Sequence, residues 1–144
     1  MTSLAKHLTE GNTFDRVYCV FDKDKHSNYQ QALNCIENIK PKKVFFAATS
    51  DPCFEYWLLL HYTYSTKPYE KTEKKSIGGN ILEDLKQYIT GYEKGKRDIF
   101  SLLKDQLKFA IENAKRANQE AKTVNGPSTT VFELVEYLVT LKKE

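Results

Sequence analysis

An α/β domain built on a parallel sheet is what this sequence predicts, and three observations carry the prediction. Two short runs, Arg16-Val17-Tyr18-Cys19-Val20-Phe21 and Lys43-Val44-Phe45-Phe46-Ala47-Ala48, are apolar, β-branched and aromatic, with polar residues on either side, as buried strands are. A helical pattern separates them. A second helical pattern, apolar on almost every side, follows the second run. Strand, helix, strand, helix in that order implies parallel strands joined by right-handed crossovers.

The first helix has a start signal at Ser27, a capping residue with Gln30 three positions on. Its inner stripe is Tyr29, Ala32, Leu33, Ile36 and Ile39, and Lys40-Pro41 stops it. After the second strand, Asp51-Pro52 supplies a cap residue followed by proline at the first helical position. The helix it opens runs from Cys53 to about Tyr62 and carries Phe54, Trp57, Leu58, Leu59 and Leu60, the composition of a buried domain centre. Residues 63–79 are polar, with Lys67-Pro68, Lys71, Lys74-Lys75 and Gly78-Gly79, and read as an exposed loop or insertion.

Residues 80–144 are mainly helical. Asn80 with Glu83 opens a helix bearing Ile81, Leu82, Leu85, Tyr88 and Ile89. Residues 98–118 form a long one, with Ile99, Leu103, Leu107, Ala110, Ile111 and Ala114. After Asn125-Gly126-Pro127, Thr130 and Glu133 make a capping box for the last, whose stripe is Val131, Leu134, Val135, Leu138 and Leu141. Two strands are few for an α/β domain. Residues 1–8 suit a helix rather than a first strand, so the chain reads as beginning late.

The 144 residues suit one domain spanning residues 1–144. With 40% hydrophobic, 28% charged and 12% aromatic residues, the chain is too rich in aromatics for a disordered one. No apolar run reaches the roughly 18 residues a bilayer requires. The polar Thr9-Glu10-Gly11-Asn12 falls where a signal peptide needs its apolar stretch, so a cytoplasmic protein is expected. Cys19, Cys35 and Cys53 are odd in number and widely spaced among apolar neighbours, which predicts reduced, buried thiols. A net charge of +3 permits a polyanionic partner without requiring one.

The chemistry-bearing residues gather behind the first strand. Asp22 and Asp24 follow it directly, at the edge where open α/β sheets place ligands and catalytic groups. Two carboxylates one residue apart suit a hard cation such as Mg²⁺, which prefers one or two carboxylates with water and phosphate. The bland alternative is a solvated turn, since Asp22-Lys23-Asp24-Lys25 balances its own charge. Glu55 opens an apolar helix, either favoured by the helix amino terminus or held to complete a metal site. His61 is six residues on, about 120° around the helix from Glu55, and a core role is its default. His26 is placed to meet phosphate or act as an acid, unless it is merely exposed. Lys104, Lys108, Lys115, Arg116 and Lys122 give the long helix a basic side, interrupted by Glu112 and Glu120, for which a solvated face is the default. Lys67, Lys71, Lys74 and Lys75, with Tyr64 and Tyr69, could grip a nucleic-acid backbone and stack bases.

Several stretches together resemble the RloB-like family of prokaryotic anti-phage and abortive-infection proteins. They are Val17-Tyr18-Cys19-Val20-Phe21-Asp22-Lys23-Asp24-Lys25-His26, then Ser50-Asp51-Pro52-Cys53-Phe54-Glu55-Tyr56-Trp57-Leu58-Leu59-Leu60-His61-Tyr62. Tyr92-Glu93-Lys94 and Pro127-Ser128-Thr129-Thr130-Val131 through Leu134-Val135 follow in the same order, and the resemblance runs from about Asp15 to the C-terminus.

That resemblance implies a TOPRIM-like parallel sheet flanked by helices, with additional C-terminal helices. In TOPRIM domains an acidic D-x-D at a strand end holds Mg²⁺ (or Mn²⁺) for phosphodiester chemistry, and Asp22 and Asp24 match it residue by residue. Carried over, Glu55 supports the site, His26 and Lys25 meet phosphate, and His61 and Lys94 contact substrate. The implied substrate is DNA or RNA, and the implied partner is an AAA/ABC-type ATPase encoded nearby; oligomers are allowed. The family's further glutamate, in an E-G context after a first strand, has no match, because Glu10-Gly11 has no strand before it and lies too near the next one. The chain is therefore expected to lack that strand and its glutamate. A non-catalytic module that docks to an ATPase or to nucleic acid is the competing expectation.

Overall fold

Two parallel strands frame the structure, as the order of elements predicts. In the computed structural model, which describes residues 14–24, 27–69 and 76–141, β1 (Val17–Asp22) pairs with β2 (Phe45–Asp51) from Val17 opposite Phe45 to Asp22 opposite Ser50. The helix between them, α1 (Tyr29–Asn38), turns its predicted stripe inward, with Ile36 buried. Ser27 does not cap it. Asn28 stands at the cap position, and Ser27 falls one residue too early to bond the first turn.

The sheet is mixed rather than wholly parallel. A two-residue strand, β3 (Ser128–Thr129), runs antiparallel to β2, so the order is β1-β2-β3 with β2 in the centre. Two residues carry too little pattern to be seen as a strand in sequence. Burial follows position: Phe45, Ala48, Thr49 and Ser50 of β2 are buried, whereas Val20 of the edge strand β1 is 53% exposed.

The helix predicted from Cys53 to Tyr62 is shorter, α2 (Glu55–Leu59), continued by turns. It is the buried centre expected, since Tyr56, Trp57, Leu58, Leu59 and Leu60 are all at most 4% exposed. Asp51-Pro52 does not start it. Asp51 is spent as the last residue of β2, opposite Ser128, and Phe54 holds the cap position. Around α2 pack α3 (Ile77–Lys86) and a helix broken into α4 (Ile99–Leu103), a 3₁₀ turn (Lys104–Gln106) and α5 (Leu107–Ala121). Leucines spaced by four fit one continuous helix as well as two segments joined by a tighter turn, so the break was not legible. The third helix starts earlier than Asn80, because the Ser76 hydroxyl accepts the Gly79 amide at 3.1 Å and caps a turn that includes Gly78 and Gly79. Residues 63–69 lack regular structure but are not a freely exposed loop: Tyr64 and Tyr69 pack against the core.

The last helix, α6 (Val131–Thr140), follows β3 directly. Thr130 does not make the predicted capping box. Its hydroxyl accepts the Thr49 amide (2.9 Å) and its own amide donates to the Thr49 carbonyl (2.8 Å), extending the sheet by one residue. Beside it the buried hydroxyls of Ser50 and Thr129 meet at 2.7 Å. None of the three cysteines is in a disulfide, but only Cys53 is buried; Cys35 lies on the outer face of α1 and is exposed. Among the described residues no helix is long and apolar enough to cross a membrane.

Thr129→Val keeps the shape of the side chain but strands the Ser50 hydroxyl in the core. Urea unfolding is expected to show a loss of about 1–3 kcal/mol; an unchanged midpoint would remove that pair from the set of contacts that stabilise the sheet.

Candidate functional site

Because β1 and β2 are parallel, their carboxyl ends lie on one rim, and the chain leaves both ends through acidic residues. Backbone pairing continues past β1: the Lys23 amide donates to Ser50 and the Asp24 amide to Pro52, both at 2.8 Å. Asp24 is held there at φ 41°, a left-handed conformation that aspartate tolerates better than most residues. The Asp22 carboxylate crosses to the next element, where Oδ1 accepts the Phe54 amide at 2.9 Å.

Four acids gather at this rim: Asp22, Asp24, Asp51 and Glu55. Burial pushes the Asp22 carboxyl above its ordinary range, the Phe54 amide draws it back, and the negative charges of Glu55 and Asp24 push it further up. Asp51 is neutralised by Lys23, whose Nζ lies 3.4 Å from Oδ2. That pairing replaces the self-balanced turn of alternating charges: Lys23 serves Asp51 from another strand, not its sequence neighbours. Asp24 also faces, with Asp51, a small cavity of about 130 Å³ beside Pro52, Tyr69 and Asn125.

Glu55 is only 5% exposed. Tyr92, itself buried, donates to Oε2 at 3.3 Å, and Lys94 Nζ lies 3.3 Å from Oε1. Oε1 nevertheless accepts no hydrogen bond among the described residues. The Lys94 ammonium is therefore a counter-charge rather than a well-aligned donor, and its proton affinity is raised by Glu55. Its side chain is 62% exposed, so it bridges the buried acid and solvent. Tyr92 is the contact that residue patterns did not reveal; a tyrosine in a glycine-rich turn carries no local signal of the acid it meets. Its hydroxyl, and the Cys53 thiol beside Glu55, are both pushed up to about 12, chiefly by burial. Cys53 is thus an inert thiol.

The remaining candidates separate from this rim. His61 is 2% exposed, edge-on to Trp57, with Nδ1 3.0 Å from the Trp57 carbonyl; burial lowers its pKa and keeps the ring neutral. It lines an apolar cavity, in keeping with the core role. Lys25 and His26 lie outside the described residues, as do Glu10-Gly11, Lys71, Lys74 and Lys75. Tyr69 does not stand ready to stack bases: its hydroxyl donates to Asp84 at 2.6 Å, and Lys67 pairs with the same carboxylate at 3.2 Å. Tyr64 lies under the Arg116 guanidinium, 4.0 Å from the ring centre. On the basic helix Lys115 pairs with Glu136 and Arg116 with Glu120, as a solvated face does.

The donor chemistry of the rim suits a hard cation. Asp22 and Asp24 offer carboxylate oxygens, and Glu55 adds a buried carboxylate whose Oε1 is met by the exposed Lys94 ammonium. Among the described residues, however, no three His, Cys, Asp or Glu side chains converge as a ready ligand group. An ion held here would rest on two protein carboxylates with water, which is how Mg²⁺ is commonly bound.

Two outcomes follow from the charges. A carboxyl whose folded pKa is raised contributes stability below its unfolded value, and that contribution is lost as pH rises through the folded one. Asp22→Asn, which can still accept the Phe54 amide, is thus expected to melt no lower than the parent at pH 7 and to flatten the pH dependence of melting upward from the ordinary 3.8 of aspartate. A clear drop in melting temperature would show that the negative charge itself is required. Lys94→Met is expected to destabilise by less than the about 3–5 kcal/mol of a fully buried pair, because Lys94 is largely exposed. Adding Glu55→Gln should recover most of the loss; a double variant as weak as the sum of the two single ones would deny the coupling.

The family model described as RloB-like protein matches residues 2–138, nearly the whole chain. No curated protein and no solved structure matches it.

Proposed function

The chain belongs to the RloB-like family, and on that footing we propose that it is a metal-dependent phosphodiester hydrolase of TOPRIM-like type, acting on DNA or RNA in the cytoplasm in anti-phage, abortive-infection defence. The observation that carries this reading is the position of Asp22 and Asp24 at the carboxyl rim of parallel strands, where the Phe54 amide holds Asp22 and the charge of the buried Glu55 helps to raise its pKa. Asp22 and Asp24 would hold Mg²⁺ or Mn²⁺, with Glu55 in support. When bound, such an ion polarises a scissile phosphate and lowers the pKa of an attacking water. The Phe54 amide aims Asp22 by holding one of its oxygens. Lys94, exposed and paired with Glu55, would receive a phosphate oxygen, and Lys25 and His26, which follow the acidic pair closely in sequence, would do the same. His61 has no part in this reading, since it is 2% exposed in the core, with Nδ1 on the Trp57 carbonyl.

One observation favours a second reading, a non-catalytic module that docks to an ATPase or to nucleic acid: no three ligand side chains converge among the described residues. Calorimetry separates the two. Binding of Mg²⁺ or Mn²⁺ that disappears in Asp22→Ala supports the hydrolase, and no heat with either ion supports the module. Replacing Asp22 and Asp24 together by alanine is expected to reduce divalent-dependent cleavage of single-stranded DNA and RNA to background. Undiminished cleavage by that variant excludes the mechanism.

A further inference from the structure

On a different face, an apolar groove of about 520 Å³ opens between α2, the α4–α5 segment and α6. Its size is that of a binding pocket rather than a packing defect. Trp57, Leu58 and Leu103, each 4% exposed, form the floor. Phe100, Leu138 and Val139 line the same groove yet are 70%, 53% and 62% exposed. Large apolar side chains standing clear of the surface around a hollow mark an interaction site.

The form and charge of the rim select the occupant. A small molecule sunk to the floor would leave Phe100 and Val139 in water, whereas a helix laid across the groove covers floor and rim together. Lys104 supplies the only charge among the lining residues, and no acid is present there. Lys108, one turn further on, is exposed, and neither lysine has an ion pair among the described residues. Free cations beside an apolar stripe ask for acids beside the complementary one, and they oppose a second copy of the same lysine-bearing rim. We propose that this groove binds an amphipathic helix of a partner protein whose apolar stripe is flanked by acidic residues. The proposal does not depend on the metal reading, because the groove shares no side chain with the acidic pair.

Trp57 is the only tryptophan in the chain and lies in the floor, so its fluorescence reports occupancy. The full chain is titrated with two synthetic helical peptides of roughly 18 residues, about five turns, with one leucine stripe in common. One has glutamates beside the stripe, the other lysines. The glutamate peptide is expected to saturate the Trp57 signal at roughly micromolar concentration, and the lysine peptide to bind at least about tenfold more weakly. Phe100→Asn and Leu138→Asn alter exposed side chains that the fold can spare, and each should weaken the glutamate peptide by a similar factor; Lys104→Glu should abolish the preference between peptides. No response to either peptide, or equal binding of both by the parent chain, overturns the proposal. So does a concentration-dependent dimer in sedimentation that Leu138→Asn dissolves, or binding to phosphatidylglycerol vesicles in place of the glutamate peptide.

Discussion

The bond from the Phe54 amide to the Asp22 carboxylate ties the open edge of the sheet to its buried centre. Asp22 ends the edge strand; Phe54 stands at the start of the helix whose side chains are the most thoroughly buried in the protein. An amide at a helix start has no partner within its own helix and must find one elsewhere. Here the partner comes from a strand 32 residues away, which fixes how α2 leaves the sheet. The same bond orients the Asp22 carboxylate, which burial holds above its ordinary pKa range.

A second set of polar contacts controls the opposite side of β2. Thr49 and Ser50 are buried in the central strand and meet Thr130 and Thr129, one by backbone and hydroxyl together, the other by hydroxyls alone. Asn118 of α5 accepts the Thr129 amide at 3.0 Å, and Asn113 of the same helix donates to the Leu60 carbonyl at 2.8 Å. Buried polar groups without partners are costly, so these pairs specify one register for a very short strand. They also seat α6, and with it one wall of the apolar groove. The acidic rim and the groove are thus both built around α2 but face different neighbours. Phe54 belongs to each: its amide serves Asp22 and its ring lines the groove.

Charge is distributed in a way that sequence order disguises. Asp22-Lys23-Asp24 reads as a turn in balance, yet Lys23 pairs with Asp51 and leaves the flanking aspartates to press on each other. Glu55 gains its counter-charge from Lys94, 39 residues downstream and in no regular element. Lys67, prominent in a basic loop, is occupied by Asp84. Each of these long-range pairs reassigns a residue that looked free, or looked satisfied, when only its neighbours were known.

Periodicity alone determined the alternation of strand and helix, the inner stripe of α1, the burial of α2 and the place of Asp22 and Asp24 at a strand end, because side-chain spacing follows the backbone repeat. Capping residues misled at Ser27, Asp51 and Thr130. Ser27 falls one residue before the cap position, while Asp51 and Thr130 are drawn into pairing with a neighbouring strand. Only the tertiary structure decided that β3 exists and that Tyr92 and Lys94 meet Glu55. The reason is common to both: a hydrogen bond or ion pair between distant segments depends on where the chain returns in space, which no local repeat encodes.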